Sequence, residues 1–276
     1  MYKGKLLFSV SFHMLSKRNT NLCSVIKRTH KGVLHLFYET LAKYYDEIFP
    51  YEPGKVTFLD REFKAMQAKR ILDLACGIGT YTNALAKLGY TAWGTDLELN
   101  MVENAKQKAR ESGSSARFEV GDMRNPDSLG LEFDGLFCIG NSLAHLSNRE
   151  DIQQTLTNMH GVLRSGGITI IQIVNFDRIL ALGDTELPLI ERENLRFLRV
   201  YRPQSDGRIL FDSVIELKQE DNRILRLENR VELRAIRQSE LQADLLGAGF
   251  TETRTYGDFN YGEYNERSGA TIMIAK

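Results

Sequence analysis

Cysteine and proline are scarce in this 276-residue chain, three of one and five of the other, and there is a single tryptophan. Cys23, Cys76 and Cys138 are too few for a disulfide framework, and their spacings match no zinc pattern, so no metal site is expected. A reducing compartment, the cytoplasm, suits such a chain. No uninterrupted apolar run approaches the roughly 20 residues that a membrane-spanning helix needs, which excludes a membrane protein. Internal repeats and low-complexity tracts are missing too. With 42% hydrophobic and 26% charged residues, the composition is that of a folded globular protein, neither disordered nor collagen-like.

Acidic residues are missing from the first stretch. Residues 1–32 carry Lys3, Lys5, Lys17, Arg18, Lys27, Arg28 and Lys31 but no Asp or Glu. The whole chain balances 36 basic against 36 acidic residues, so the remainder holds 29 basic against 36 acidic and is net −7. A body of that sign is repelled by phosphate backbones, which argues against a nucleic-acid binder. The apolar stretch from Leu6 to Phe12 is short for a signal peptide, and no clear small-residue cleavage site follows it. Residues 1–32 are expected to form a poorly ordered basic leader, of the kind an upstream start codon adds.

From Val33 the pattern turns periodic. Leu34, Phe37, Leu41, Tyr44 and Ile48 recur at helical spacing up to Pro50, and a second helix is expected over Val56–Gln67. Apolar runs then alternate with helical stretches. The runs are Arg70–Ala75, Thr91–Thr95, Ala116–Val120, Gly135–Ile139 and Ile168–Val174; the helices fall near Tyr81–Leu88, Asn100–Glu111 and Arg149–Leu163. Strand–helix–strand alternation implies parallel strands joined by right-handed crossovers, an open α/β sheet. A helix at Ser239–Leu246 and strands at Thr251–Tyr256 and Ala270–Ala275 bring that sheet to seven strands. Between them, Leu195/Phe197/Tyr201, Ile209/Phe211/Ile215/Leu217 and Leu225/Leu227/Val231/Leu233 follow a period of two, which reads as an inserted antiparallel sheet. The expected division is a leader at 1–32, an α/β domain over 33–180 and 236–276, and a β insertion over 181–235 that caps the substrate side.

The chemistry concentrates in Ile71-Leu-Asp73-Leu-Ala75-Cys76-Gly77-Ile-Gly79-Thr80, a buried strand that runs through a turn of small residues into a helix. Gly77 and Gly79 let a ligand approach the backbone, and the helix start offers unpaired N–H groups. Asp73 precedes the turn, where it can accept bonds from a cationic amino group or from the loop. Asp96 follows the second strand, where an acid can take both ribose hydroxyls. Asp122 follows the third, where an acid can meet an adenine amino group or act as a helix cap. Three acids at successive carboxyl strand ends line the crevice where open α/β sheets bind ligands. A dinucleotide is the rival ligand, but its fingerprint wants Gly or Ala where Thr82 stands.

The set Asp73-Leu-Ala-Cys-Gly77-Ile-Gly79, Asp96, Asp122 and Leu163-Arg-Ser-Gly166-Gly167 resembles the class I S-adenosylmethionine-dependent methyltransferases over roughly residues 38–175 and 236–276. The resemblance implies a Rossmann-like, doubly wound, mostly parallel seven-stranded sheet and S-adenosylmethionine as cofactor, with S-adenosylhomocysteine as product. It places Ala75, Gly77 and Gly79 at the methionine end, Asp96 on the ribose, Asp122 at adenine, Leu97 and Met123 on the adenine faces, and Tyr45 or Tyr44 over the cofactor.

Ile139-Gly-Asn141-Ser-Leu-Ala-His145-Leu and Asn175-Phe-Asp-Arg178-Ile-Leu are similar to the glycine and glycine/sarcosine N-methyltransferases. That resemblance implies a small-molecule nitrogen acceptor, with Asn141, His145 and Tyr45 as catalytic-site residues. The alternatives are a loop cap for Asn141 and a packing or helix-start role for His145. One departure stands out: Val174 replaces the arginine that grips the glycine carboxylate, so glycine as substrate requires another arginine, such as Arg178 or Arg199. An oxygen acceptor, a nicotinamide oxidoreductase and a non-catalytic cofactor-binding module are the competing readings. The sequence is compatible with a homo-oligomer.

Overall fold

The structure, a computed structural model, describes residues 23–24, 30–146 and 148–276. A two-residue strand, β1 (Cys23–Ser24), precedes the helices α1 (His30–Lys43), α2 (Tyr45–Ile48) and α3 (Pro53–Ala65). The alternating core follows as β2 (Arg70–Leu74), α4 (Thr80–Lys87), β3 (Thr91–Asp96), α5 (Leu99–Ser112), β4 (Arg117–Val120), β5 (Phe133–Cys138), α6 (Arg149–Gly161) and β6 (Leu163–Val174). Helix α7 (Phe176–Leu182) leads into β7 (Thr185–Glu186), β8 (Ile190–Glu191), β9 (Leu195–Pro203), β10 (Arg208–Lys218) and β11 (Ile224–Arg234). The chain closes with α8 (Gln238–Gly247), β12 (Thr253–Tyr256) and β13 (Ala270–Ala275).

The main sheet has seven strands in the order β12-β13-β6-β5-β2-β3-β4. From β6 to β4 all neighbours are parallel, while β13 and β12 join antiparallel. This is the expected doubly wound sheet. Its central strands are covered on both faces, so they carry continuous apolar runs: Ile71, Leu72 and Leu74 of β2 have no exposed surface. The chain leaves β2 toward β3 on one side and returns to β5 on the other. The carboxyl ends of β2 and β5 therefore flank a topological switch point, where the diverging loops leave a crevice.

The second sheet runs β1-β11-β10-β9-β7, with β8 also paired to β9, and β9, β10 and β11 are antiparallel. On its inner face Phe197, Ile215 and Leu227 form a buried cluster with Phe37 of α1 and Ile48 of α2. Tyr201, Ile209 and Leu233 join the main core instead, alongside Phe176, Leu241 and Met273. The insertion is thus held against the α/β domain at both ends of its inner face.

Three details depart from the sequence pattern. The helix expected through Pro50 breaks at Tyr44, whose ψ of 18° leaves the helical region before α2 resumes. Helix α6 stops at Gly161, and Leu163–Gly167 enters β6 with a register shift opposite Phe133 and Gly135. Helix α7 follows β6 at once because Asn175 caps it, its side-chain oxygen accepting from the Arg178 amide at 3.2 Å. The expected leader lies for the most part outside the described residues; Cys23–Ser24 pairs beside Ile224–Leu225, and α1 begins at His30.

Candidate active site

The turn between β2 and α4 is built from left-handed backbone. Ala75, Gly77 and Gly79 have φ of 58°, 56° and 72°. At Gly79 a Cβ would lie 2.6 Å from the Phe118 ring and 2.9 Å from the Ala105 methyl, so the turn is pressed onto the β3–α5–β4 layer as well as twisted. The Cys76 amide donates to the Thr95 carbonyl at 2.9 Å. The Gly77 amide donates to Oδ2 of Asp96 at 2.8 Å, and the Glu98 amide to its Oδ1 at 3.0 Å. Asp96 therefore ties the turn to the end of β3. Burial raises its pKa, and the backbone donors oppose that rise.

Asp73 is buried at the top of β2, and Thr82 of α4 donates to its Oδ2 at 2.5 Å. Burial pushes the Asp73 pKa well up; the Thr82 bond opposes this and the nearby Asp96 charge adds to it. Thr82, which breaks the dinucleotide fingerprint, is thus the partner of this carboxylate. Sequence reasoning noted the residue and missed its role.

A cavity of about 530 Å³ runs from this turn to the inner face of the second sheet. Of the sequence-derived site residues, Asp73, Ala75, Tyr45, Asn141 and His145 line it. Tyr45 lies across the turn, with its hydroxyl 3.1 Å from where a Gly77 Cβ would stand. Burial and the charges of Asp96 and Asp73 push its phenol up, so it stays protonated. Asn141, at φ 72°, accepts from the Val174 amide at 3.0 Å, and its own amide donates to the Gln172 carbonyl at 3.2 Å. Those bonds join the ends of β5 and β6. His145 ends the 3₁₀ turn Ser142–His145, and burial holds its pKa below the usual imidazole value, leaving it neutral near pH 7.

Six expected residues stand outside the cavity lining: Gly77 and Gly79 within the turn, and four at the open ends of β3 and β4. Asp96 is bonded to the turn through the Gly77 amide and does not line the cavity. Leu97 is 66% exposed, an apolar side chain left open beside it. Met123 packs on the edge of the main core. The Asp122 carboxylate is engaged by Arg124, whose Nε lies 2.9 Å from Oδ2, and these bonds hold its pKa below the ordinary carboxylate range.

Known proteins resemble this chain in sequence and in fold. A methyltransferase-domain profile matches residues 71–167, the stretch from β2 into β6. The glycine/sarcosine N-methyltransferase of Aphanothece halophytica is 26% identical over 222 residues, 79% of this chain and 80% of its own. That of Parasynechococcus marenigrum is 34% identical over 128 residues, 46% of this chain and 45% of its own. An S-adenosylmethionine-dependent methyltransferase structure from Clostridium acetobutylicum superposes with a TM-score of 0.75 at 18% identity, covering 87% of this chain and 98% of that one. The amino pentose methyltransferase CalS10 from Micromonospora echinaspora, solved with S-adenosylmethionine bound, superposes at 0.69 with 19% identity, covering 87% and 95%. Residues 71–167 form a methyltransferase domain, and the relatives and the shared fold support a class I S-adenosylmethionine-dependent methyltransferase.

The residues of this methyltransferase fit the cofactor its family implies. The Thr80 hydroxyl is buried without a partner among the described residues, at the first turn of α4, and lines the cavity, a donor set aside at a helix start that favours anions. Buried Asp73 suits a cationic amino group, and Ala75 and Cys76 of the turn line the cavity beside it. Sequence reasoning missed Thr80. It also missed Ser213 and Asn229, which line the cavity from β10 and β11, although each interrupts the inward apolar register of its strand. Of the two arginines offered as substitutes at Val174, Arg199 lines the cavity and Arg178 does not.

Proposed function

We propose that this methyltransferase transfers the methyl group of S-adenosylmethionine to the nitrogen of a small amine or amino-acid-like acceptor. The observation that carries the reading is the single cavity joining the glycine turn to Asn141 and His145 and closed by the inserted sheet. The names of the relatives, glycine/sarcosine N-methyltransferases, support nitrogen as the acceptor atom. So do two fold neighbours, an amino pentose methyltransferase and a sugar N-methyltransferase.

In this reading Asp96 takes the ribose hydroxyls with the second lone pairs of its oxygens, Leu97 and Met123 pack on adenine, and Asp122 meets the adenine amino group. Ala75, Gly77 and Gly79 admit the methionine end, Asp73 takes its amino group, and Tyr45 covers it. When bound, the cofactor supplies an electrophilic methyl on a sulfonium. The chain's own residues then position the acceptor. Such orientation is worth roughly 7–11 kcal/mol for a bimolecular reaction. An amine must be neutral to attack. Asn141 and neutral His145 are the polar groups that orient its lone pair, and a His145 ring nitrogen can accept the proton shed by the product. The aromatic walls contributed by α1, α2 and the second sheet exclude water. Val174 supplies no ion pair, so a glycine carboxylate would have to reach Arg199 on the inserted sheet instead.

We place the enzyme in the cytoplasm with a small-molecule partner. Unpaired Cys76 and Cys138 and the negative charge of the body support this, and no helix among the described residues is long and apolar enough to cross a membrane. The segment 181–235 is read as the substrate-side cap. The neutral imidazole of His145 favours one second reading, an oxygen acceptor deprotonated by that base. Calorimetry with S-adenosylhomocysteine and a release assay over amines and hydroxylated analogues test the proposal. No binding of the product, or turnover of hydroxyl acceptors alone, would overturn it.

A further inference from the structure

The inner face of the second sheet carries one polar row in an apolar surface. Ser213 of β10 pairs directly with Arg199 of β9 on one side and Asn229 of β11 on the other. All three line the cavity. The adjacent rows are apolar: Phe197–Ile215–Leu227 on one side, and Tyr201–Phe211–Val231 on the other. Arginines on the outer face of the same strands have carboxylate partners, as in Arg196–Glu216 at 3.0 Å, Arg202–Asp212 at 2.9 Å and Arg208–Glu232 at 2.8 Å.

Arg199 has no such partner among the described residues. Its Nη2 donates to the Pro188 carbonyl at 2.8 Å, its Nε is buried with no acceptor among the described residues, and its guanidinium lies over the Phe197 ring at 5.1 Å. Burial lowers its pKa from an ordinary value so high that it remains a cation. A cation set among aromatic rings without a counter-charge is costly unless something pairs with it. The neighbouring side chains are already oriented: the Ser213 hydroxyl leans to the Asn229 carbonyl at 3.4 Å, and the Asn229 amide donates to the Tyr38 hydroxyl at 3.3 Å.

We propose that the Arg199–Ser213–Asn229 row binds an oxyanion of the methyl acceptor, which is therefore an amine that also bears a carboxylate or phosphate, with an apolar body packed against Phe197, Tyr201 and Phe211. Arg199 reaches the cavity from the inserted sheet, whereas Val174 lies at the end of β6, so the anion sits at a different wall from the one an arginine at 174 would serve. An apolar body separates this acceptor from glycine. The proposal rests on the methyl-transfer reading of the cavity, and it assigns Arg199 a binding role rather than a part in the chemical step.

The test uses the full chain and matched pairs: phenylalanine against 2-phenylethylamine, leucine against 3-methylbutylamine, and O-phosphoethanolamine against ethanolamine. S-adenosylhomocysteine release is the readout, with calorimetric affinity for S-adenosylhomocysteine as control. In at least one pair the anionic member is expected to show kcat/KM about ten-fold or more above its neutral partner, the scale of one charge-assisted bond. The carboxylate and phosphate pairs then separate the two oxyanions. Arg199→Met is expected to erase that preference by raising KM about ten-fold with a smaller change in kcat, while S-adenosylhomocysteine affinity stays within about two-fold. Arg199→Lys, which keeps the charge and loses the fork, should recover part of the preference. Equal or better use of the neutral members, no use of any anionic member, or an unchanged KM in both variants overturns the proposal. If S-adenosylhomocysteine binds in those cases, the anion site alone fails; if it does not bind the unaltered protein, the methyl-transfer reading of the cavity fails first.

Discussion

The Gly77 amide and the Asp96 carboxylate, 2.8 Å apart, make the glycine turn and the end of β3 one hydrogen-bonded unit. Since the Glu98 amide occupies the other carboxylate oxygen, Asp96 fixes the turn and sits, half-buried, beside exposed Leu97. A ligand that touches this carboxylate therefore also feels the backbone of the turn, which in the proposed placement of the cofactor couples its nucleoside end to its methionine end.

Removing Asp96 is accordingly expected to cost binding more than any change on the acceptor side. Asp96→Ala should weaken S-adenosylhomocysteine by about 1.5–3 kcal/mol, roughly ten- to a hundred-fold, the range for bonds to a charged group. His145→Ala should leave that affinity within about three-fold. Asp96→Asn keeps an oxygen for the Gly77 amide and should fall between. Calorimetry on the three variants checks the order, and equal losses for Asp96→Ala and His145→Ala would take Asp96 off the ribose.

Asp73 sets stability against binding. Its pKa is raised by burial, so its contribution to stability is full below the unfolded value and is lost as the pH rises through the native one. Above the unfolded value Asp73 therefore burdens the empty site. Asp73→Asn, which retains an oxygen for the Thr82 hydroxyl, should raise the melting temperature by a few degrees, at about 2–4 °C per kcal/mol for a domain of this size. It should also weaken S-adenosylmethionine about ten-fold or more, since a neutral amide meets a cationic amino group less well. A lower melting temperature together with unchanged affinity would contradict both halves.

Much of this arrangement was legible in the residues. The buried runs through Ile71–Leu74 and Leu136–Cys138 announced central parallel strands, and the period of two in β10 and β11 announced the inserted sheet. The acids fell where strand ends must lie. What could not be read is whatever depends on register or on contacts distant in sequence. Ser213 and Asn229 each show as a polar residue at an inward position, but that they form a row with Arg199 follows only from the pairing of β9, β10 and β11. The Asp73–Thr82 bond needs the rotation of α4 over β2. Helix α7 was missed because its seven residues are too few for a periodic signal, and its cap, Asn175, also reads as a loop residue.

Gly79 and Gly113 separate two reasons for a glycine. Both have left-handed backbone, with φ of 72° and 64°, but a Cβ at Gly113 meets nothing within 4 Å, whereas at Gly79 it strikes the Phe118 ring. Gly113→Ala should cost only the backbone term, about 1–2 kcal/mol. Gly79→Ala should add overpacking of about 1–3 kcal/mol and displace the turn, so its S-adenosylhomocysteine affinity falls as well. Thermal melts of the two variants, read beside calorimetry, check this. Equal destabilisation would mean that the contact with Phe118 relaxes freely.

His145 carries a pH signature of definite sign. An unfolded chain protonates this imidazole as the pH falls through about 6.5, whereas burial keeps the native ring neutral to lower pH. Between those two values the unfolded state binds the extra proton, so native stability declines on acidification and levels off once the native ring also titrates. His145→Gln removes that linkage and leaves the other histidines in place. The melting temperature of the unaltered protein should therefore fall more steeply between about pH 7 and pH 5 than that of the variant, and the difference curve should be flat above about pH 7.5. Parallel curves would mean that His145 titrates as it does in water, and a ring with that freedom would not be held neutral against an acceptor in the cavity.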